Sequence, residues 1–180
     1  MTFSSETYPG VCDKPPVASQ RFVLNHSMLR VKDPAVSLDF YSRIMGMRVL
    51  RKLDFPEMKF SLYFLAVAEL AQGAPSDQGE RTAWTFSQSG ILELTHNWGS
   101  ESDPEFKYHD GNAQPQGFGH ICFSVPDLDA AVKWFDDNQV TYVKRPEQGK
   151  MKDVAFIKDP DGYWIEIVEP ARLKQLGQTS

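Results

Sequence analysis

Two histidines, His26 and His120, occupy the same place in two copies of one sequence pattern, separated by 94 positions. Each copy ends in an apolar–Glu–apolar segment, which contains Glu93 in the first copy and Glu166 in the second. Imidazole and carboxylate groups both bind divalent metals in proteins. One His and one Glu in each of two repeats therefore predict a four-ligand metal site.

The predicted donor set narrows the choice of metal. Two imidazoles and two carboxylates without a thiolate suit zinc, nickel, cobalt, manganese or iron. A single His or Glu on a strand is more often an ordinary polar residue, but the shared register of His26 and His120 favours the ligand interpretation. His96 and His109 do not fit that register, and we interpret them as non-ligands.

The elements that must position these residues follow the same order in both copies. Asp33 and Asp127 precede helical patterns and are typical N-caps, and Gly46 ends the first helix. The apolar faces predicted for the two helices comprise Val36, Phe40, Tyr41 and Ile44, and Leu128, Val132 and Phe135. The predicted strands are 22–31, 48–53, 60–67 and 91–95 in the first copy, and 120–125, 141–144, 154–158 and 163–168 in the second. Residues 159–162, with the sequence Asp-Pro-Asp-Gly, are predicted to form a turn with a positive φ at the glycine.

Each copy is therefore predicted to be a β-α-β-β-β module, which gives an α+β fold with two tandem modules and mixed sheets. When the first and last strands of a module are neighbours, its His and Glu can point from one face of a cupped sheet. The predicted organisation is an N-terminal arm or tail at 1–20, a first module at 21–100 with a surface loop at 68–81, a linker at 101–116, a second module at 117–170 and a C-terminal tail at 171–180.

Composition excludes several classes of partner. The chain has 180 residues and a formal net charge of −5, which argues against non-specific binding to nucleic acid or to an acidic membrane. No apolar run approaches the roughly 18 residues of a membrane helix, and the N-terminus lacks an apolar signal core. We expect Cys12 in the arm and Cys122 in a buried strand to form no disulfide, and we expect a cytoplasmic protein.

Several segments together make the chain similar to a known family. They include Met28–Pro34, Ser37–Arg43, Lys59–Leu65, Leu92–Gly99, Gly117–Ile121, Gly149–Lys152 and Asp159–Ile167. The chain resembles the glyoxalase I (lactoylglutathione lyase) family of the vicinal-oxygen-chelate superfamily, over about residues 22–169. The resemblance implies the fold of that superfamily. The longer first repeat resembles the zinc-using branch of the family.

The resemblance also implies a homodimer whose sites lie between the subunits. Each site would take His26 and Glu93 from one chain and His120 and Glu166 from the other. One divalent metal would occupy each site, with zinc expected and nickel, cobalt or manganese as alternatives. Eukaryotic members usually have Gln at the position of His26, whereas many bacterial members have His.

The implied reaction isomerises the hemithioacetal of glutathione and methylglyoxal to S-lactoylglutathione, which detoxifies methylglyoxal. Glutathione is therefore the co-substrate, and no redox cofactor is required. Glu166 is expected to be the base that moves the proton. Glu93 is expected to be a ligand that could serve the opposite face of the substrate.

The resemblance assigns further residues to the substrate. The expected glutathione contacts are Arg30, Asn97, Lys144, Lys150, Met151 and Gln116, the last of which replaces an Arg that is usual in the family. The expected lining of the pocket for the small acyl group is Phe55, Leu62, Phe64 and Phe156, together with Met151.

Two other functions use the same fold. A non-haem iron dioxygenase needs two His and one carboxylate, and the second carboxylate argues against it. A metal-free binding module that sequesters drugs needs no ligand set, and the presence of both His and both Glu argues against it. Elemental analysis and turnover without oxygen would separate the three functions.

Overall fold

Two four-stranded mixed sheets of the same topology form the framework of residues 9–12 and 14–175, which the computed structural model describes. The strands are β1 His26–Val31, β2 Met47–Phe55, β3 Phe60–Val67, β4 Ile91–Asn97, β5 His120–Ser124, β6 Tyr142–Lys144, β7 Val154–Lys158 and β8 Trp164–Val168. Their orders are β1-β4-β3-β2 and β5-β8-β7-β6. The first and last strands of each sheet are parallel neighbours. The predicted α+β fold with two β-α-β-β-β modules is confirmed.

The first strand begins later than predicted. Its neighbour β4 starts at Ile91, which pairs with His26. Phe22, Val23 and Leu24 therefore have no partner in that ladder, and all three are exposed. The predicted start at Phe22 is wrong because an apolar run alone does not supply the neighbouring strand.

The helices that connect the first two strands of each module begin after capping aspartates, as predicted. Asp33 Oδ1 accepts a hydrogen bond from the Ala35 amide at 2.8 Å, and Asp127 Oδ1 accepts one from the Ala130 amide at 2.9 Å. In the first module this helix is α1, Pro34–Asp39, and it continues as a π-helical turn over Phe40–Ile44. In the second module the corresponding helix spans Leu128–Asp137. Gly46 follows the first helix with φ +73°.

The buried face of the first helix differs from the prediction at one position. Tyr41 and Ile44 are buried as expected, but Val36 is 51% exposed and Ser37 is buried instead. Ser37 precedes Tyr41 by four residues, which places the two on one face of the helix. Its hydroxyl donates to Asp161 Oδ2 at 3.2 Å, so a polar contact keeps this small side chain inward.

The segment predicted as a surface loop at 68–81 is partly helical. It contains α2, Ala68–Ala71, and the start of α3, Gln78–Ser87. Asp77 caps α3, since its Oδ1 accepts a hydrogen bond from the Glu80 amide at 2.9 Å. The loop prediction is wrong because an N-cap Asp followed by Glu three residues later outweighs the turn-rich composition. The helix of the second module, Leu128–Asp137, is α4.

One hydrophobic core joins the two modules. It takes Leu29 and Leu94 from the first sheet, and Ile165 and Ile167 from the second. Successive residues of a strand point to opposite faces, so the His and Glu side chains lie on the faces that turn away from this core. The two candidate half-sites therefore diverge within one chain.

Cys122 lies in a strand, as expected, but the prediction that it is buried is wrong. Strand β5 is at the edge of its sheet, and its alternation leaves the thiol exposed on the face that also carries His120. Both thiols, Cys12 and Cys122, are unpaired. Among the described residues, no helix has the length and apolar character needed to cross a bilayer.

The terminal segments fall only partly within the described residues. Residues 1–8, 13 and 176–180 of the predicted arm and tail lie outside them. Short 3-10 turns occur at Val17–Ser19 and Arg172–Gln175.

Candidate functional site

His26 and Glu93 form one half-site in the first module. The parallel pairing of β1 with β4 places Glu93 opposite Met28, two residues along from His26 and therefore on the same face. His26 Nε2 lies 3.1 Å from Glu93 Oε2. Glu93 Oε1 accepts a hydrogen bond from the Thr95 hydroxyl at 2.9 Å. Glu93 is buried, and each of its two carboxylate oxygens has a polar neighbour, as buried polar groups usually do.

Aromatic rings hold the His26 imidazole from the side. Phe64 and Phe86 meet it edge to face, with centroid distances of 5.8 and 6.1 Å. Phe64 is fully buried in β3, and Phe86 belongs to α3. The insertion between β3 and β4 thus contributes a wall of the half-site.

Asn25 contacts the second nitrogen of the same imidazole, and the sequence analysis missed it. Asn25 Oδ1 lies 2.6 Å from His26 Nδ1. The shift of 94 positions that superposes the two histidines places Asn25 on Gly119, a residue without a side chain. This difference between the repeats is the feature of the sequence that could have indicated the contact of Asn25 with His26.

His120 and Glu166 form the corresponding half-site in the second module. His120 Nε2 lies 3.4 Å from Glu166 Oε2. Phe156 meets the His120 ring edge to face at 5.3 Å, and Trp164 packs against Phe156 at 5.9 Å. The arrangement of imidazole, carboxylate and aromatic ring repeats that of the first module, but both polar groups are more exposed.

Cys122 lies beside the carboxylate of the second half-site, because it pairs with Glu166 across β5 and β8. Although Cys122 is exposed, neighbouring atoms partly desolvate its thiol, and this desolvation, with smaller contributions from the Glu166 carboxylate, raises the pKa of the thiol to about 11. The thiol is therefore neutral near pH 7.

The four expected ligands come together in two pairs rather than in one cluster. Among the described residues of one chain, no group of three or more His, Cys, Asp or Glu side chains is placed to hold a metal ion. This agrees with the two sheets turning their polar faces away from the shared core. One chain therefore presents two separate half-sites.

Residues expected to contact glutathione surround the first half-site in part. Arg30 is exposed on β1, on the face that carries His26, and it lines a cleft of about 350 Å³ with Tyr108 and Phe118. Asn97, at the end of β4, donates a hydrogen bond to the Tyr108 hydroxyl at 3.1 Å. The cleft provides room for a polar ligand beside a cationic side chain.

Lys144 has a different environment from the other expected contacts. Its Nζ donates to the carbonyl oxygens of Met151 and Val154 at 2.6 and 2.7 Å, and to that of Arg145 at 3.2 Å. Burial, followed by the charge of Lys152, lowers the pKa of the Lys144 ammonium. Three backbone oxygens use its three donors, so the side chain holds the segment after β6.

The remaining expected contacts lie on exposed segments, namely Gln116, Lys150 and Met151. The expected pocket residues divide between the modules. Phe55 stacks on Phe60 at 4.7 Å at the end of the β2–β3 hairpin, and Leu62 and Phe64 follow on β3, whereas Phe156 lies on β7. Each half-site therefore brings its own apolar wall.

The chain is similar in sequence and in fold to known proteins. The sequence profile of the Glyoxalase/Bleomycin resistance protein/Dioxygenase superfamily matches residues 23–167. The chain is 55% identical over 178 residues to a lactoylglutathione lyase of Pseudomonas aeruginosa, covering 99% of both chains. It is 53% identical over 167 residues to that of Pseudomonas putida, covering 93% of this chain and 96% of the relative. The solved trypanothione-dependent glyoxalase I of Leishmania major superposes with a TM-score of 0.59 at 30% identity, covering 87% of this chain and 98% of that one.

Proposed function

Because the chain belongs to the Glyoxalase/Bleomycin resistance protein/Dioxygenase superfamily, we propose that it is a carbon–sulfur lyase that isomerises the hemithioacetal of glutathione and methylglyoxal to S-lactoylglutathione. The observation that carries this function is the repeated His–Glu pair, with Nε2–Oε2 distances of 3.1 and 3.4 Å. Bacterial relatives that match the chain over nearly all its length are named for this reaction. The cell would use it to detoxify methylglyoxal.

The donor set fits a divalent metal. Two imidazoles and two carboxylates suit zinc, nickel, cobalt or manganese. His26 and Glu93 of one chain, with His120 and Glu166 of a second chain, would hold the ion, which we expect to be zinc. When bound, such an ion supplies Lewis-acid polarisation of the two neighbouring substrate oxygens.

The direction in which the half-sites face supports the proposed homodimer. They turn away from the core that joins the modules, so four ligands can meet only if a second chain supplies the other half. The buried indole N–H of Trp164 has no hydrogen-bond partner among the described residues of one chain. An unpaired buried donor costs about 1–3 kcal/mol, which favours an assembly or a substrate that supplies an acceptor there.

Glu166 is the proposed base. In the reaction a proton leaves C1 of the hemithioacetal and a proton is returned to C2, so one carboxylate must accept and then deliver it. Glu166 lies beside His120 on the more exposed half-site. Glu93 is held by Thr95 and His26, and serves mainly as a ligand.

The substrate is proposed to lie between the two half-sites. Arg30 and Asn97 of one chain would bind carboxylate and amide groups of glutathione. Lys150, Met151 and Gln116 of the other chain would contact it from the exposed segments, while Lys144 shapes the segment that carries Met151. The apolar walls at Phe64 and Phe156 would exclude water from the methyl group of the substrate.

Metal-depleted protein supplied separately with zinc, nickel, cobalt or manganese tests this function. We expect thioester absorbance to appear with glutathione and methylglyoxal in the presence of a metal, with equal rates with and without oxygen. An oxygen requirement would instead support the dioxygenase, and binding without turnover would support the sequestering module.

The proposed compartment is the cytoplasm, because both thiols are unpaired.

A further inference from the structure

Asn25 connects α3 to the imidazole of His26. Its side-chain nitrogen donates to the carbonyl oxygens of Thr85 at 2.8 Å and Gln88 at 2.7 Å. Thr85 lies in the last turn of α3, and Gln88 is its C-cap. The last carbonyls of a helix have few partners within the helix, and that of Thr85 receives a long hydrogen bond of 3.4 Å from the Gln88 amide. The amide of Asn25 therefore adds hydrogen bonds to the end of α3.

These two bonds determine which way the amide faces. Carbonyl oxygens accept hydrogen bonds but cannot donate them, so the nitrogen of Asn25 must face Thr85 and Gln88. The amide oxygen then faces His26 Nδ1 at 2.6 Å. The backbone of Asn25 is fixed as well, because its carbonyl accepts a hydrogen bond from the Ile91 amide at 3.1 Å.

An amide oxygen can only accept, so Asn25 favours a hydrogen on His26 Nδ1. The Glu93 carboxylate, which also only accepts, favours one on Nε2 when no metal is bound. A metal bound on the side of Glu93 needs the lone pair on Nε2, the nitrogen that lies 3.1 Å from Glu93 Oε2, and the hydrogen on Nδ1. We propose that Asn25 is a positioning residue that holds His26 in the tautomer and orientation required for metal binding, and that the end of α3 holds Asn25. The inference rests on the metal site of the proposed function.

The second module lacks this device. Gly119 stands where the repeat has Asn25, and β7 is followed directly by the turn at 159–162, with no insertion that corresponds to α3. Among the described residues, the His120 ring has no side-chain or carbonyl partner on Nδ1 within its own chain. The two ligand histidines are therefore supported in different ways, and the insertion explains the difference.

The test is Asn25→Ala, compared with Asn138→Ala. Asn138 is a matched control because its side-chain amide also donates to a carbonyl near a helix C-terminus, that of Trp134 in α4, at 2.8 Å, without touching a histidine. Two quantities are measured. One is the ¹⁵N shift of the His26 ring nitrogens at alkaline pH, assigned with His26→Gln, in metal-free protein that also carries Glu93→Ala to remove the competing carboxylate. The other is the zinc dissociation constant from chelator competition, measured with Glu93 present.

We expect Asn25→Ala to convert a single Nδ1–H tautomer into a mixture and to weaken zinc binding about 10- to 100-fold. Asn138→Ala should change neither quantity. A wild-type tautomer and wild-type zinc affinity in folded Asn25→Ala would overturn the proposal. The tautomer is measured without metal, so a wild-type protein that failed to bind zinc would refute the metal site while leaving the role of Asn25 measurable.

Asn25→Asp keeps the test decisive if Asn25→Ala does not fold. The carboxylate retains an acceptor for Nδ1–H but loses both donors to α3. We expect the Nδ1–H tautomer to persist and zinc affinity to stay within a few-fold of wild type, while thermal stability falls. A mixed tautomer in Asn25→Asp would show that the oxygen does not select it, and the proposal would fail.

Discussion

Glu93 and Glu166 occupy equivalent places in the two modules, yet their neighbours differ. The residue two positions after Glu93 is Thr95, whose hydroxyl donates to Glu93 Oε1 at 2.9 Å. The residue two positions after Glu166 is Val168, which has no side-chain donor. Glu166 instead has the Cys122 thiol beside it, and its side chain is more exposed than that of Glu93. We therefore propose the more exposed carboxylate, Glu166, as the group that moves the proton.

Replacing Glu166 by Gln should therefore affect chemistry more than binding. Glu166→Gln keeps an oxygen in place but removes the proton acceptor, so we expect kcat and kcat/KM to fall together by about 10²–10⁴-fold. Steady-state kinetics on zinc-loaded protein measure the loss, and binding of a glutathione thioether analogue should persist. A wild-type kcat would transfer the role of base to Glu93 or to water.

The two lysines expected at the glutathione site should respond differently to truncation. Lys150 is exposed and is proposed to contact glutathione, so Lys150→Ala should weaken substrate binding and raise KM, while kcat and zinc content stay unchanged. Lys144 donates to three carbonyl oxygens, so Lys144→Ala should lower the free energy of unfolding by about 2 kcal/mol and also raise KM. Urea unfolding separates the two variants. Equal stability of both would show that Lys144 does not hold the segment after β6.

Residue types and register predicted the pairs of the candidate site, but not their supporting contacts. The positions of His26 and His120 in two like repeats were enough to pair each with a carboxylate. The contact of Asn25 depends on α3, which is 60 residues away in sequence. Lys144 is similar, because two of the carbonyls that it contacts, those of Arg145 and Met151, belong to an irregular segment without a repeating pattern.

At the scale of elements, the turn between β7 and β8 connects the two modules through hydrogen bonds. Tyr41, from the first helix, donates a hydrogen bond to Asp159 Oδ2 at 2.8 Å. The Lys32 amide donates to Asp161 Oδ1 at 2.9 Å. Burial raises the pKa of Asp159 to about 7, although the hydrogen bond from Tyr41 opposes the shift, and the Asp161 charge adds to the rise.

This raised pKa predicts a pH-dependent stability. In the unfolded chain Asp159 loses its proton near 3.8, whereas in the folded chain it does so at about 7. The folded state therefore holds the extra proton between these values, and its stability falls as pH rises through that window, by up to roughly 4 kcal/mol. Urea unfolding across the window measures the change.

Asp159→Asn should reduce the slope of that pH profile, because the amide does not ionise and can still accept the hydrogen bonds from the Asp161 and Tyr163 amides. Some slope should remain, since burial also raises the pKa of Asp161. Asp137→Asn, at the exposed end of α4, is the control and should keep the wild-type slope. An unchanged slope in Asp159→Asn would assign the dependence to other carboxylates.

The elements of the second module were predicted more closely than those of the first. Strand β7 matches the predicted range, and Gly162 has the expected positive φ, +91°. The first module departs where long-range pairing decides the outcome, as at the start of β1, or where a short capping signal competes with turn-rich composition, as at α3. Periodicity reports which face of an element is apolar, but not where a partner strand ends.

At the scale of the whole molecule, the divergent half-sites predict complementation between inactive chains. His26→Ala and His120→Ala each disable one half-site, so either homodimer should be inactive. After subunit exchange, one site of the mixed dimer would contain both intact halves and the other both lesions. We expect up to half of the wild-type activity per mixed dimer, measured after exchange is verified with differently tagged chains. No recovery would place a complete site within one chain.

In the proposed homodimer, the outward-facing half-sites would also couple catalysis to the amount of protein. A single chain would contain two incomplete sites, so complete active sites would form only when two chains associate. Below the dissociation constant of the dimer, mass action makes their number follow the square of the chain concentration. A twofold drop in expression would then leave about a quarter of the active sites. Protection against a reactive aldehyde would accordingly have a dosage threshold, set by how tightly two chains hold each other.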